Sequence, residues 1–111
     1  MKIGRRPFGK GPAVSLFTLG TMRAINSAKQ MQDVLKAAVS AGINHIETSP
    51  LYGAAQTLLG EALQELAHKD IQPIGGWIIT TKLLPGIGLN EGQKKLKKTL
   101  NDLKVNQVEN L

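Results

Sequence analysis

The sequence predicts an α/β fold in which parallel strands alternate with helices. Three observations support this: strand-like and helix-like segments alternate along the chain, the segments between them are short, and no residue-level repeat or low-complexity stretch interrupts the pattern. The predicted order is β-α-β-α-β-α-β. A strand, a crossover helix and a second strand joined by short connections give parallel strands with right-handed crossovers. We therefore expect one sheet with helices packed against it.

The first strand and the first helix have clear boundaries. Residues 13–19, AVSLFTL, lie between a Gly- and Pro-containing stretch and Gly20, which predicts a strand. In residues 27–41 the apolar side chains recur at helical spacing. Asn26 or Ser27 is the expected N-cap and Gly42 the expected stop signal.

The later elements follow the same alternation. Residues 43–48, INHIET, predict the second strand, and residues 54–68 predict the second helix. The third strand is expected at residues 77–82 and the third helix from about residue 90 to residue 103. The last residues, VNQVENL, begin like a fourth strand.

The length limits how such a sheet can be completed. A closed barrel of eight βα units takes about 250 residues, whereas this chain has 111. Three and a half units are too few to close a barrel. An open sheet is possible at this size, but its last strand would then be cut short, so we expect a truncated chain.

Composition excludes several classes of protein and site. There is no cysteine, which excludes disulfides, zinc–thiolate sites and a cysteine nucleophile, and fits a reducing compartment. The basic start of the chain is not followed by an apolar run, as a signal peptide would require. No stretch approaches the roughly 18 apolar residues of a membrane span. We expect one cytoplasmic domain over residues 1–111 that does not bind membranes.

The net charge of +6 raises the question of a polyanionic partner. The densest basic run is KKLKK, Lys94–Lys98, which at helical spacing lies opposite an apolar stripe. None of the four aromatic residues interleaves with it, so a platform for stacked bases is unsupported. We interpret the run as a solvated helix face, and nucleic acid is not expected as a partner. The two histidines are too far apart to predict a metal site.

Residues with chemical potential gather where strands end. In parallel α/β folds, functional groups collect at the carboxyl ends of the strands. Glu47 and Tyr52 follow the second strand and Lys82 ends the third. A lysine beside the phenol would favour phenolate, and a carboxylate would hold that lysine charged, so the phenol could exchange a proton near neutral pH. Taken singly, each has an ordinary alternative: a packing tyrosine, a capping glutamate and a solvated lysine.

His45 lies two residues before Glu47 and therefore on the same face of the second strand, about 7 Å away. It could assist catalysis. A hydrogen-bonded core histidine is the favoured interpretation.

Four segments, in order along the chain, carry a resemblance to one known family. They are KIGRRPFGKGPAVSLFTLGTMR at residues 2–23, AGINHIETSPLYGAAQTLLGEAL, WIITTKL and LKKTLNDLKVNQVENL. The second is the most specific, with an acidic residue, a threonine, Tyr-Gly and then a helix. Through these segments the chain resembles the N-terminal part of an aldo-keto reductase over essentially its whole length. The first segment looks like the family's N-terminal hairpin and first barrel strand, the third like its third strand, and the fourth like the next helix and strand.

The resemblance implies a fold and a function. The fold would be the N-terminal β-hairpin and the first three to four βα units of a (β/α)8 TIM barrel, truncated. The parent activity would be NADPH-dependent reduction of an aldehyde or ketone to an alcohol. The family's catalytic tyrosine, lysine and acid map onto Tyr52, Lys82 and Glu47. Residues at the NADP(H) site would be Gly20, Thr21, Met22 and Glu47.

Two departures from the family pattern matter. The usual acid is aspartate, and Glu47 is one methylene longer, although some bacterial members resemble this chain in having HIET. The catalytic histidine would fall a few residues beyond Leu111. We therefore expect the chain alone to be inactive. Two non-enzymatic functions are alternatives: a half-barrel that works through a partner chain, and a small basic protein that binds polyanions. Open sheet edges and an inner face without an opposite wall, including Ile43 and His45, would allow self-association.

Overall fold

The computed structural model describes residues 2–23 and 26–111. The chain begins with a two-stranded antiparallel hairpin, in which β1 (Arg5–Arg6) pairs with β2 (Val14–Ser15). Three further strands, β3 (Leu19–Gly20), β4 (His45–Glu47) and β5 (Ile78–Thr80), form one parallel sheet in the order β3-β4-β5. The predicted α/β class with parallel strands is confirmed.

Three helices connect and follow these strands: α1 (Ala28–Ala41), α2 (Ala55–His68) and α3 (Leu89–Leu103). Each begins within one residue of its predicted start. The N-cap of α1 is Ser27, whose hydroxyl accepts a hydrogen bond from the Gln30 amide at 3.1 Å. Gly42 ends α1 in the left-handed region at φ 88°, a conformation that glycine adopts without steric cost.

The prediction of one strand over residues 13–19 was wrong, because the structure divides this segment between the hairpin and the sheet. The Ser15 hydroxyl donates to the Phe17 carbonyl at 2.5 Å, and the Ser15 amide donates to the side-chain oxygen of Asn44 at 2.7 Å. Such local side-chain bonds compete with a strand ladder. Leu16 and Phe17 are consequently exposed in a bend.

The predicted fourth strand is reduced to one parallel bridge between Thr80 and Asn110. The amides of Glu109 and Asn110 both donate to the Ile79 carbonyl, and the Ile79 amide donates to the Glu109 carboxylate at 3.1 Å. A side-chain oxygen thus occupies the place of a strand carbonyl, which ends regular pairing. Within the described ranges β3 pairs only with β4, so its other edge is open. Self-association stays a prediction.

The core lies between the sheet and the helices. α1 packs against α2, and α2 packs against α3. The buried apolar side chains that form one cluster there are Met31, Leu35, Ile46, Leu59, Ala62, Leu66, Ile79 and Leu103. No helix in the described part of the chain is long and apolar enough to cross a membrane.

The opposite face of the sheet is more covered than the sequence suggested. His45 is 6% exposed, and the ring of Phe8 from the hairpin packs against it with 5.6 Å between ring centroids. The expectation that His45 has no opposite wall was therefore wrong, because the loop between β1 and β2 folds over it.

Candidate active site

Three side chains meet at the carboxyl edge of the parallel sheet. Glu47 is the last residue of β4, Lys82 lies two residues beyond β5, and Tyr52 lies in the turn that precedes α2. In that turn the Tyr52 amide donates to the Ser49 carbonyl at 3.1 Å, and the Ala55 amide donates to the Tyr52 carbonyl at 3.0 Å. These two tight turns bring the tyrosine back over the end of its own strand.

The three side chains form a closed hydrogen-bonded triangle. The Tyr52 hydroxyl donates to Glu47 Oε1 at 3.1 Å, and Lys82 Nζ donates to the Tyr52 oxygen at 2.9 Å. Lys82 Nζ also donates to Glu47 Oε1 in a salt bridge. The ammonium lies 4.8 Å from the centre of the Tyr52 ring, within the range of a cation–π contact. The structure thus brings together all three residues that the sequence singled out as catalytic candidates.

The environment of Lys82 favours its charged form. Burial alone lowers the pKa of Lys82, but hydrogen bonds to Glu47 and Tyr52, with attraction to both, more than offset this and raise the pKa above its ordinary value. A further bond runs from Nζ to the Thr48 carbonyl at 3.3 Å. Because the lysine side chain is 48% exposed, solvent screens these attractions. At neutral pH Lys82 is therefore an oriented ammonium group in contact with the Tyr52 oxygen.

The three residues at the end of β3, Gly20, Thr21 and Met22, differ in their exposure to solvent. Gly20 is exposed and lies opposite Glu47 in the strand register, and Met22 is exposed too. Thr21 is buried, and its hydroxyl bonds to the Thr48 hydroxyl at 2.8 Å and the Glu47 carbonyl at 3.2 Å. The Thr21 side chain is therefore engaged inside the protein, whereas Gly20 and Met22 face outward.

Thr48 also belongs to this region, although no sequence pattern singled it out as a site residue. Its carbonyl accepts from Lys82 and its hydroxyl pairs with Thr21, so it links the catalytic candidates to the first parallel strand. The positions of the two threonines could have indicated this contact. Thr21 and Thr48 each come directly after a strand, and polar side chains there can reach the same edge of the sheet.

His45 is a hydrogen-bonded buried histidine, which confirms the favoured interpretation. Nδ1 lies 3.0 Å from the Thr18 hydroxyl and Nε2 lies 2.7 Å from the Thr80 hydroxyl. Burial lowers the pKa of His45 below its ordinary value, and the negative charge of Glu47 offsets only part of that shift.

This shift predicts a loss of stability in mild acid. The unfolded chain binds a proton at His45 as the pH falls through 6.5, whereas the folded chain resists until a lower pH. Since the unfolded state then holds more protons, the free energy of unfolding should decrease as the pH falls across that window. Urea unfolding between neutral and mildly acidic pH measures this. His45→Gln should have a shallower slope, and equal slopes for both proteins would contradict the assignment.

Other charged groups do not form a comparable site. Within the described ranges, no group of three or more His, Cys, Asp or Glu residues could hold a metal ion. On α3, Lys95 and Lys98 form i,i+4 ion pairs with Glu91 and Asp102. This pairing supports the interpretation of the basic run as a solvated helix face.

Comparison with known proteins adds the family context. Residues 16–111 match the family model described as the aldo/keto reductase family. A stretch of 53 residues is 42% identical to D-arabinose 1-dehydrogenase of Saccharomyces cerevisiae. That stretch is 48% of this chain but only 15% of the yeast protein.

Solved structures agree on the fold. A Pseudomonas aeruginosa protein described as an aldo-keto reductase matches with a TM-score of 0.78 and 26% identity, over 94% of this chain and 43% of its own. A Bombyx mori aldo-keto reductase in complex with NADP matches with a TM-score of 0.76 and 19% identity, over 97% of this chain and 36% of its own. The chain thus spans less than half the length of these proteins and shares their α/β-barrel fold over that part, which agrees with the predicted fold class. It belongs to the aldo/keto reductase family.

Proposed function

We propose that residues 1–111 supply the proton-transfer part of an NADPH-dependent carbonyl reductase that converts an aldehyde or ketone to an alcohol. One observation carries the proposal: Tyr52, Lys82 and Glu47 are in mutual contact at the carboxyl edge of a parallel sheet. In α/β barrels that edge is where active sites lie. In this proposal residues 1–111 are part of one oxidoreductase domain.

In this proposal Tyr52 is the general acid. Its hydroxyl gives a proton to the carbonyl oxygen of the substrate, and a phenolate remains. The Lys82 ammonium, 2.9 Å from that oxygen, stabilises the negative charge as it forms. Glu47 holds the ammonium by a salt bridge and also accepts from the Tyr52 hydroxyl, so that the lysine is oriented before the reaction. In the reverse direction the same phenolate would accept the proton.

The rim beside this cluster suits a nicotinamide cofactor. Gly20 lies in register with Glu47 and is exposed, and among the described residues other than its two chain neighbours none has an atom within 4 Å of the position a Cβ would take. Gly20 therefore leaves open space beside its register partner Glu47. We propose that Gly20, Met22, Glu47 and the backbone of Thr21 contact the cofactor. When bound, NADPH supplies the hydride that adds to the carbonyl carbon. The NADP complex of the Bombyx mori structure supports this choice of cofactor.

The proposal predicts negligible carbonyl reduction by residues 1–111 alone. The chain spans 43% of the Pseudomonas barrel, and catalysis depends on a preorganised pocket that excludes water. Loss of NADPH absorbance should be measured with a panel of aldehydes and ketones. Rapid enzyme-dependent oxidation by the 111-residue protein would contradict the prediction.

Completing the barrel tests the function itself. Residues 1–111 should be joined to the part of the Pseudomonas protein that they do not cover, and the chimera assayed with the same panel. Turnover should appear in the chimera and not in the added part alone. A folded chimera that binds NADPH but reduces no carbonyl would count against the proposed function.

A further inference from the structure

A second polar arrangement lies on the same face of the sheet, one layer below the catalytic candidates. The His45 ring lies between two threonines of neighbouring chain segments, with Nδ1 3.0 Å from the Thr18 hydroxyl and Nε2 2.7 Å from the Thr80 hydroxyl. Thr18 directly precedes β3, His45 begins β4 and Thr80 ends β5. One side chain therefore connects all three parallel strands.

The arrangement is in register with the catalytic candidates. Side chains two residues apart on a strand share a face, so His45 lies on the same face as Glu47, two positions earlier on β4. Thr80, the last residue of β5, lies two positions before Lys82. Glu47 and Thr80 are partners in the β4–β5 register, and the Thr48 amide donates to the Thr80 carbonyl at 2.9 Å. A change in the spacing of Thr80 relative to β4 would thus move Lys82 relative to Glu47.

The ring is well suited to fix that spacing. Strands of two or three residues form few backbone bonds, so side-chain bonds between them contribute a large share of their alignment. The imidazole is planar and is held by a hydrogen bond on each side. The Phe8 ring packs on it at an angle of 52° and limits its rotation. Of the two ring nitrogens, Nε2 is the one hydrogen-bonded to the strand that leads to Lys82.

We propose that His45 is a positioning residue for the Glu47–Tyr52–Lys82 cluster: its bond to Thr80 sets the place of Lys82 against Glu47 and Tyr52. This inference rests on the function proposed above only in calling the cluster catalytic. His45 does not touch the cluster and acts through Thr80.

The titration of Lys82 provides a direct readout in the 111-residue protein. The pKa of Lys82 is raised by its bonds to Glu47 and Tyr52, so looser contacts should lower it. Side-chain NMR of protein with isotope-labelled lysine can follow that titration. His45→Phe keeps a ring against Phe8 but removes both hydrogen bonds. His45→Gln lacks the ring, yet its amide can take the place of Nε2 opposite Thr80.

We expect the Lys82 pKa to shift down towards its ordinary value in His45→Phe and to stay near the wild-type value in His45→Gln. Thr80→Val should reproduce the effect of His45→Phe, and Thr80→Ser, which keeps the hydroxyl, should not. If His45→Phe does not fold, the pair of Thr80 variants supplies the same comparison. A wild-type Lys82 titration in folded His45→Phe or Thr80→Val would overturn the proposal. So would a larger shift in His45→Gln than in His45→Phe, because ring packing would then be responsible.

Failure of this inference can be told apart from failure of the proposed function. The NMR titration needs neither cofactor nor turnover, whereas the function is tested by carbonyl reduction in the chimera. An active chimera with an unresponsive Lys82 would remove the role of His45 alone.

Discussion

In the completed barrel, Tyr52→Phe is expected to lower kcat by about 10²- to 10⁴-fold, the usual contribution of a general acid. The substitution removes one oxygen atom and keeps the ring that lies 4.8 Å from Lys82 Nζ. The variant loses two hydrogen bonds of that oxygen, the one donated to Glu47 at 3.1 Å and the one accepted from Lys82 at 2.9 Å. The variant should still bind NADPH, because the proposed cofactor contacts lie on other residues.

Variants of the two neighbouring residues refine this result. Lys82→Met keeps the length of the side chain and removes the ammonium, so it should reduce kcat by a comparable factor. Lys29→Met is a matched control, because Lys29 also pairs with a carboxylate, that of Asp33 at 3.2 Å, but on the exposed face of α1. Glu47→Asp should keep most of the activity, since aspartate is the usual family residue. A Tyr52→Phe enzyme with nearly full kcat would remove Tyr52 from its assigned role.

The parts that could be predicted from sequence depend on local patterns. Helices α1 to α3 follow from apolar spacing, and Ser27 and Gly42 mark the ends of α1 by their own conformational preferences. The cluster of catalytic candidates followed from one topological rule, because parallel strands end at the same edge of a sheet. That rule placed Glu47 and Lys82 near each other although they are 35 positions apart.

The parts that could not be predicted depend on pairs of residues with no local signal. The division of residues 13–19 requires the Asn44 side chain, which lies 29 positions after Ser15 and accepts from its amide. The bonds of His45 to Thr18 and Thr80 span 27 and 35 positions. The predicted strand at the end of the chain is reduced to one bridge because the Glu109 carboxylate takes the place of a strand carbonyl. Apolar periodicity does not encode any of these contacts.

The close approach of α2 and α3 could not be predicted from the sequence either. A substitution at this contact has the largest expected effect on stability. Gly60 is buried in the interior of α2, where a Cβ would clash with the Asp102 carbonyl oxygen and would lie 2.9 Å from the Leu103 carbonyl carbon and Cα. All three are backbone atoms, so no side-chain rotation can relieve the clash. The helices would have to separate, and Leu103 would leave its place in the buried core beside Leu59 and Leu66.

Gly60→Ala should therefore lower the free energy of unfolding by about 3 kcal/mol, at the upper end of typical overpacking, and Tm by on the order of 10 °C. Gly92→Ala is the matched control, because Gly92 also lies inside a helix but its Cβ would meet only the flexible Ile87 side chain, at 3.7 Å. Without a clash, alanine should stabilise α3 by up to about 1 kcal/mol through its better helix propensity.

Urea and thermal unfolding of both variants measure the difference between their free energies of unfolding. Both substitutions add the same methyl group inside a helix. Changes of opposite sign in the free energy of unfolding would therefore be due to the close contact between α2 and α3. A Gly60→Ala protein as stable as Gly92→Ala would mean that the helices do not pack this closely in solution.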